Sequence, residues 1–230
     1  MSRTVRVLGT TRGRLMSTHW KLGAATLVAT LVLGLAAGGA TAGKLSVNDR
    51  DLKLVWRSSF EIPTGFGALL QCPLTLSGSF HSSTTNKVTF ALIGQITGAQ
   101  LDSAACTGEG SASVLAGSLP WHVTYHDFSG TLPFITTVRV NLIGLSLAVD
   151  IVLGFQCLFR TTTVEPARLA LARDMRGTVT AATIDPTRQI DSTDTTSIFC
   201  DDYEGVGLNW TLGGTGAVET GGGALTMNLI

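Results

Sequence analysis

The chain has 230 residues, with 16 basic and 16 acidic side chains, only 14% charged residues and 27 glycines. A neutral balance without clustered Lys and Arg excludes the electrostatic footprint of a nucleic-acid binder. The length suits one well-filled core rather than several.

Charge is unevenly placed from the start. Arg3, Arg6, Arg12, Arg14 and Lys21 all precede the first acidic residue, Asp49. They lead into an apolar run over 22–42 that ends in Ala40-Thr41-Ala42. A basic leader, an apolar stretch and an A-x-A site together form an export signal, so residues 1–42 are expected to be a signal helix removed before Gly43. Met16 would open a signal of more usual length and is a possible true start. An uncleaved anchor is the alternative, because about 20 apolar residues can span a bilayer; the small residues before Gly43 favour cleavage. Cleavage would remove five of the 16 basic residues and none of the acids, leaving 11 against 16 and a net charge of −5.

The remaining 43–230 read as a single all-β domain. Short alternating runs at 51–57, 69–79, 87–93, 99–105, 121–128, 135–142, 145–152, 155–162, 168–175, 178–184, 196–200, 205–212 and 224–230 have the period of half-buried antiparallel strands. Residues 81–86 (HSSTTN) read as a hairpin loop and Arg176-Gly177 as a tight turn. In 135–151 the apolar parity switches, and a bulge or break at Gly144 would account for it. Residues 165–175 could begin a helix at Pro166, but their β-rich flanks favour a strand. The glycine-rich 213–223 reads as a mobile loop before the last strand. The architecture expected is an antiparallel β-sandwich or a closed β-barrel of roughly 10 to 13 strands.

Cys72, Cys106, Cys157 and Cys200 all follow the expected cleavage site. An even number in an exported chain reads as two disulfides, and four cysteines allow three pairings. The preferred pairing is sequential, Cys72–Cys106 and Cys157–Cys200, because those loops close with little rearrangement. The spacings contain no C-x-x-C, which leaves zinc or redox chemistry without support.

His122, His126 and Asp127 form the one cluster of catalytic residue types. On a helix, two histidines four apart could hold a metal; on a strand they lie roughly 13 Å apart, too far for one ion. Trp121, Val123 and Tyr125 are expected on the core face, leaving His122, Thr124 and His126 on a solvated polar face. Asp191, Asp194, Asp201, Asp202 and Glu204 surround Cys200 and could furnish calcium ligands, although their spacing fits no calcium loop and solvated charge is the simpler reading. Asn48, Asp49 and Asp51 are judged alike. Trp56, Trp121 and Trp210 read as core or rim packing rather than a carbohydrate or lipid cleft, and the Asn209-Trp210-Thr211 sequon as chance. No nucleophile elbow, H-E-x-x-H, Walker loop or dinucleotide fingerprint is present. No cofactor is expected.

The segments CPLTLSGSF from Cys72, LPWHVTY from Leu119, CLFRTTTVEPAR from Cys157 and the final LTMNLI resemble a group of uncharacterised exported proteins of GC-rich Gram-positive soil bacteria. The resemblance implies a signal peptide, an all-β domain and disulfides. It brings no activity, cofactor or site residues with it.

Three functions are therefore set against one another. The first is a non-enzymatic structural or binding module at the cell surface or in the medium, its partner a cell-envelope component, a glycan or a protein, with membrane contact only during export. The second is a secreted hydrolase built on His122, His126 and Asp127. The third is a membrane-associated barrel or pore-forming subunit, which requires an apolar outer band and a polar lumen.

Overall fold

The computed structural model describes residues 43–65, 68–132, 134–150, 156–184, 212–221 and 223–230. Fourteen strands account for most of them: β1 (Lys44–Val47), β2 (Asp51–Gly65), β3 (Ala68–Phe80), β4 (Thr84–Asn86), β5 (Leu92–Leu101), β6 (Ser111–Val114), β7 (Trp121–Thr131), β8 (Phe134–Ile143), β9 (Ser146–Asp150), β10 (Gln156–Arg160), β11 (Ala167–Arg173), β12 (Val179–Ile184), β13 (Thr215–Glu219) and β14 (Met227–Leu229). Two single-turn 3-10 helices, Ser103–Ala105 and Ala116–Ser118, flank β6. The fold is all-β, as the period-2 patterning predicts.

Eight strands close into an antiparallel barrel in the order β11-β12-β13-β2-β3-β5-β7-β8, with β8 pairing back to β11. Closure removes the unpaired edges that an open sheet would present. Alternation along each strand sends Leu52, Leu54, Leu76, Phe80, Ile96, Val123, Val140, Leu142, Leu169 and Leu171 into the lumen. An eight-stranded barrel is just wide enough for such side chains to fill it. The lumen retains a cavity of only about 10 Å³, the space of roughly one water. The polar lumen that a pore-forming subunit requires is thus overturned: the interior is apolar and packed. Along β2 the outer parity is polar, with Asp51, Lys53 and Arg57 exposed.

Two small sheets complete the core. The sheet β14-β1-β4 lies beside the end where β2 begins and β11 finishes, and buries Leu45, Val47 and Met227. It is tied there by the Met227 N–H to the Gly177 carbonyl and the Val179 N–H to the Leu225 carbonyl. The sheet β10-β9-β6 grows from the other end, where β8 stops. Gly144 makes that transition with φ +89°, a conformation that strains any residue with a Cβ. Thr161, buried in the angle, donates its hydroxyl to the Leu142 carbonyl and accepts the Leu145 N–H. The parity switch read from the sequence is this corner, after which β9 is buried on both faces.

Several boundaries differ from expectation. Residues 213–223 are not a loop throughout: Thr215–Glu219 is β13, a barrel strand between β12 and β2. Its glycine content has a packing cause, since a Cβ at Gly216 would lie 2.8 Å from the Trp56 ring and from the Val55 carbonyl oxygen. Residues 81–86 contain β4, which pairs with β1 and is no hairpin loop. The separate strands expected at 87–93 and 99–105 are replaced by one strand, β5, preceded by irregular chain and followed by a 3-10 turn. β1 (KLSV) and β6 (SASV) were not anticipated: each alternates, but over only four residues. Residues 165–175 form a strand, as their flanks indicate. The strands expected at 196–200 and 205–212, apart from Leu212, lie outside the described residues, as do residues 1–42.

Cys72 and Cys106 form the expected disulfide, with Cα atoms 4.2 Å apart. It ties β3 to the chain after the first 3-10 turn, where Gln71 and Thr107 exchange both backbone hydrogen bonds. Cys157 is also disulfide-bonded; Cys200, its expected partner, lies outside the described residues. The Cys72–Cys106 bridge closes a separation of 34 residues, and such loops stabilise by about 3 to 4 kcal/mol through the unfolded chain. The double variant Cys72→Ala/Cys106→Ala is expected to lose about that much in urea unfolding, and an unchanged midpoint would disprove it.

Candidate functional site

With the lumen filled, concave surface must be sought outside it. A groove of about 450 Å³ opens on the outer wall of the barrel over β5, β7 and β8. Leu92 of β5, His122 and Thr124 of β7 and Ile143 of β8 line it, joined by Phe90 and by Thr163 of the β10–β11 connection. The ladder explains their meeting: Leu92 is registered against Thr124, and His122 against Ile143.

The rim is made by chain that leaves the regular ladder. Before β5, the Phe90 N–H reaches the Tyr125 carbonyl and the Tyr125 N–H reaches the Ala91 carbonyl, at 2.8 and 2.9 Å. The Thr89 hydroxyl donates to the His126 carbonyl. These bonds hold Phe90 at φ +66°, where a bulky side chain is under strain. The result is an aromatic ring 53% exposed, with Val88 at 61% and Leu92 at 48% on the same parity. An alternating apolar run normally points its apolar face inward; here it points outward.

Beneath the groove the wall is polar and sealed. Thr124 and Asn141 are registered across β7 and β8 and both are buried. The expectation that Thr124 sits on a solvated face is therefore corrected. The Asn141 amide donates weakly to the Thr124 hydroxyl at 3.5 Å, and its Oδ1 has no hydrogen-bond partner among the described residues. An unsatisfied buried acceptor costs about 1 to 3 kcal/mol.

His126 departs from its expected place as well. The β7–β8 register shifts between Tyr125 and Asp127, so His126 is the extra residue of a bulge and Asp127 takes the position opposite Arg139. Asp127 is bound by Arg139 at 2.7 Å and approached by His126 Nε2 at 3.6 Å. Arg139 also donates to the Ser129 hydroxyl. His122 lines the groove, while Asp127 and Ser129 are gathered around Arg139. This arrangement is an ion and hydrogen-bond network around a guanidinium, not a nucleophile beside a base. Burial, and then the Asp127 charge, push the Tyr125 phenol above its ordinary value, so it stays protonated at neutral pH.

The other sequence candidates divide cleanly. Asp191, Asp194, Asp201, Asp202, Glu204 and Trp210 lie outside the described residues. Asn48 bridges the cap sheet, donating to the Ala224 carbonyl and accepting the Thr226 N–H. Asp49 accepts the Asp51 N–H in a local turn. Trp56 and Trp121 are fully buried, as core packing predicts. Among the described residues no three His, Cys, Asp or Glu side chains are placed to share a metal. Sequence reasoning missed Phe90, Leu92, Ile143 and Thr163, although the parity of Val88, Phe90 and Leu92 was visible in it. Comparison with family models, curated proteins and solved structures gave no match.

Strain at Phe90 makes a prediction with a definite sign. Left-handed backbone costs a residue with a Cβ roughly 1 kcal/mol more than glycine. Phe90→Gly should therefore unfold at a higher urea concentration than Phe90→Ala, by about 1 kcal/mol in free energy. The reverse order would show that Phe90 is not strained.

Proposed function

We propose that the protein is an exported, disulfide-stapled β-barrel that acts as a non-enzymatic binding module at the cell surface or in the medium, with the outer groove as its ligand seat. The observation that carries this reading is Phe90, an exposed ring held in strained backbone at the rim of the groove. Strain persists where surrounding bonds enforce it and gathers at functional positions. A groove of about 450 Å³ falls within the range of small-molecule sites, roughly 300 to 1,000 Å³. Its lining suits a compact ligand with an aromatic or branched apolar group, and His122 offers one polar contact at the edge.

The amphipathic dye 1-anilinonaphthalene-8-sulfonate is a suitable probe. The native protein is expected to enhance its fluorescence, and Leu92→Ser to weaken that binding several-fold, while Leu69→Ser, an exposed apolar residue of β3 outside the groove lining, leaves it unchanged. Equal binding by wild type and Leu92→Ser would sink the assignment.

Export is supported by the leader and by a disulfide, a bond that persists in oxidising compartments. No helix among the described residues is long and apolar enough to cross a membrane. Mass spectrometry of the protein from culture medium should give a chain starting at Gly43, four hydrogens lighter than its reduced form. A cell-bound chain that keeps residues 22–42 would refute the cleaved, released form.

A further inference from the structure

The end of the barrel that carries the β14-β1-β4 sheet has a feature the groove does not explain. β8 lies between β7 and β11 and runs antiparallel to both. The β7–β8 and β11–β12 turns therefore emerge side by side at this end. Arg173 joins them directly, donating to the Ile135 carbonyl at 3.0 Å. Both turns hold large apolar side chains out in solvent: Leu132 is 42% exposed, Phe134 70% and Met175 99%. Val88, 61% exposed, precedes Thr89, whose hydroxyl donates to the His126 carbonyl midway along β7.

Basic residues stand at the same end of the barrel. Arg176 follows Met175, and Lys44 is exposed on the cap sheet. Lys87, bonded through its N–H to the Gly43 carbonyl, holds its ammonium 5.0 Å over the Phe128 ring. Asp174 is the acid within these turns, and its carboxylate is engaged by the Arg176 and Thr178 N–H groups, each at 2.8 Å. Asp49 and Asp51 stand where β2 begins, four strands from β8 in the barrel order. Glu219 ends β13, three strands from β8, and is paired with Lys53 at 2.9 Å.

We infer that this half-rim docks on a phospholipid surface with anionic headgroups, Phe134, Met175 and Leu132 entering the interface and Lys44, Lys87 and Arg176 meeting the phosphates. Isolated exposed apolar residues are ordinary; neighbouring turn tips that each present one, with cations at the same end, match the composition of an interfacial anchor. Charge complementarity selects this occupant, because anionic leaflets attract basic residues within a Debye length. The attachment is peripheral, since the barrel wall exposes Asp51, Lys53 and Arg57 along β2 rather than an apolar band.

Co-sedimentation with vesicles tests the inference. Wild type is expected to pellet with vesicles of phosphatidylcholine and phosphatidylglycerol, and much less with phosphatidylcholine alone. Phe134→Ser/Met175→Ser should reduce binding to the mixed vesicles at least about tenfold, given what burial of two large apolar side chains contributes. Arg176→Glu should weaken the same binding, while Val164→Ser, an exposed apolar residue elsewhere, should not. Thermal melts of each variant confirm that the fold is retained. Equal pelleting of wild type and the double variant, or none by either, overturns the inference. So does a dimer in sedimentation velocity that the double variant abolishes without any vesicle binding, which would make a second copy the occupant.

Discussion

A filled lumen is the constraint on which the rest of this molecule depends. Eight antiparallel strands closed on themselves leave an interior that apolar side chains fill almost completely, the remaining cavity being about 10 Å³. Parity along every barrel strand is thereby fixed, because a slip of one residue would exchange the lumen face for the solvent face. Local devices keep that parity while the chain turns corners. Gly144 and the buried Thr161 hydroxyl let β8 end and β9 begin in another sheet. Gly216 lets β13 lie flat against Trp56, where any Cβ would force the backbone apart.

The same filling leaves the larger concavity on the outside of the barrel. A barrel with a cavity could hold a ligand within; this one offers concavity where the ladder becomes irregular. The bulge at His126 lies on β7, and the register shift between Leu92 and Gly94 lies on β5 opposite Val123 and Thr124, within a few residues of it. Between them the chain at Val88–Leu92 turns its apolar parity outward and Phe90 takes a left-handed backbone. Asp127 is brought opposite Arg139 by that bulge and joins the network around its guanidinium. One extra residue thus both breaks the expected histidine face and helps shape the groove.

How much of this was legible depends on whether side-chain period and burial agree. In β2, β3, β7, β8, β11 and β12 the apolar parity is the lumen parity, and the period-2 pattern located them to within a few residues at most boundaries. The sequential bridge Cys72–Cys106 followed from loop size, and the corner at Gly144 from a parity switch. Elsewhere the two parted. β13 was hidden because close packing against Trp56 demands glycine, which in a sequence signals a loop. Val88, Phe90 and Leu92 alternate like a buried strand yet face solvent, since the hydrogen bonds that turn them come from Tyr125 and His126, far along the chain. Thr124 and Asn141 were unreadable as buried, because what covers an outer barrel face is tertiary.

The two surfaces singled out are not independent. Residues 87–92 contribute to both: Phe90 and Leu92 to the groove, Lys87 and Val88 to the chain beside the basic end. Lys87 is pinned over Phe128 of β7, while Phe90 is bonded to Tyr125 of the same strand. Both anchors grip one stretch of β7 on either side of the His126 bulge, so a shift in this segment at either surface strains the other. The groove opens on the wall, and the apolar tips stand at the end. A ligand that settles Phe90 would also settle Lys87, and coupling between two sites requires a shared element of this kind whose state both can bias.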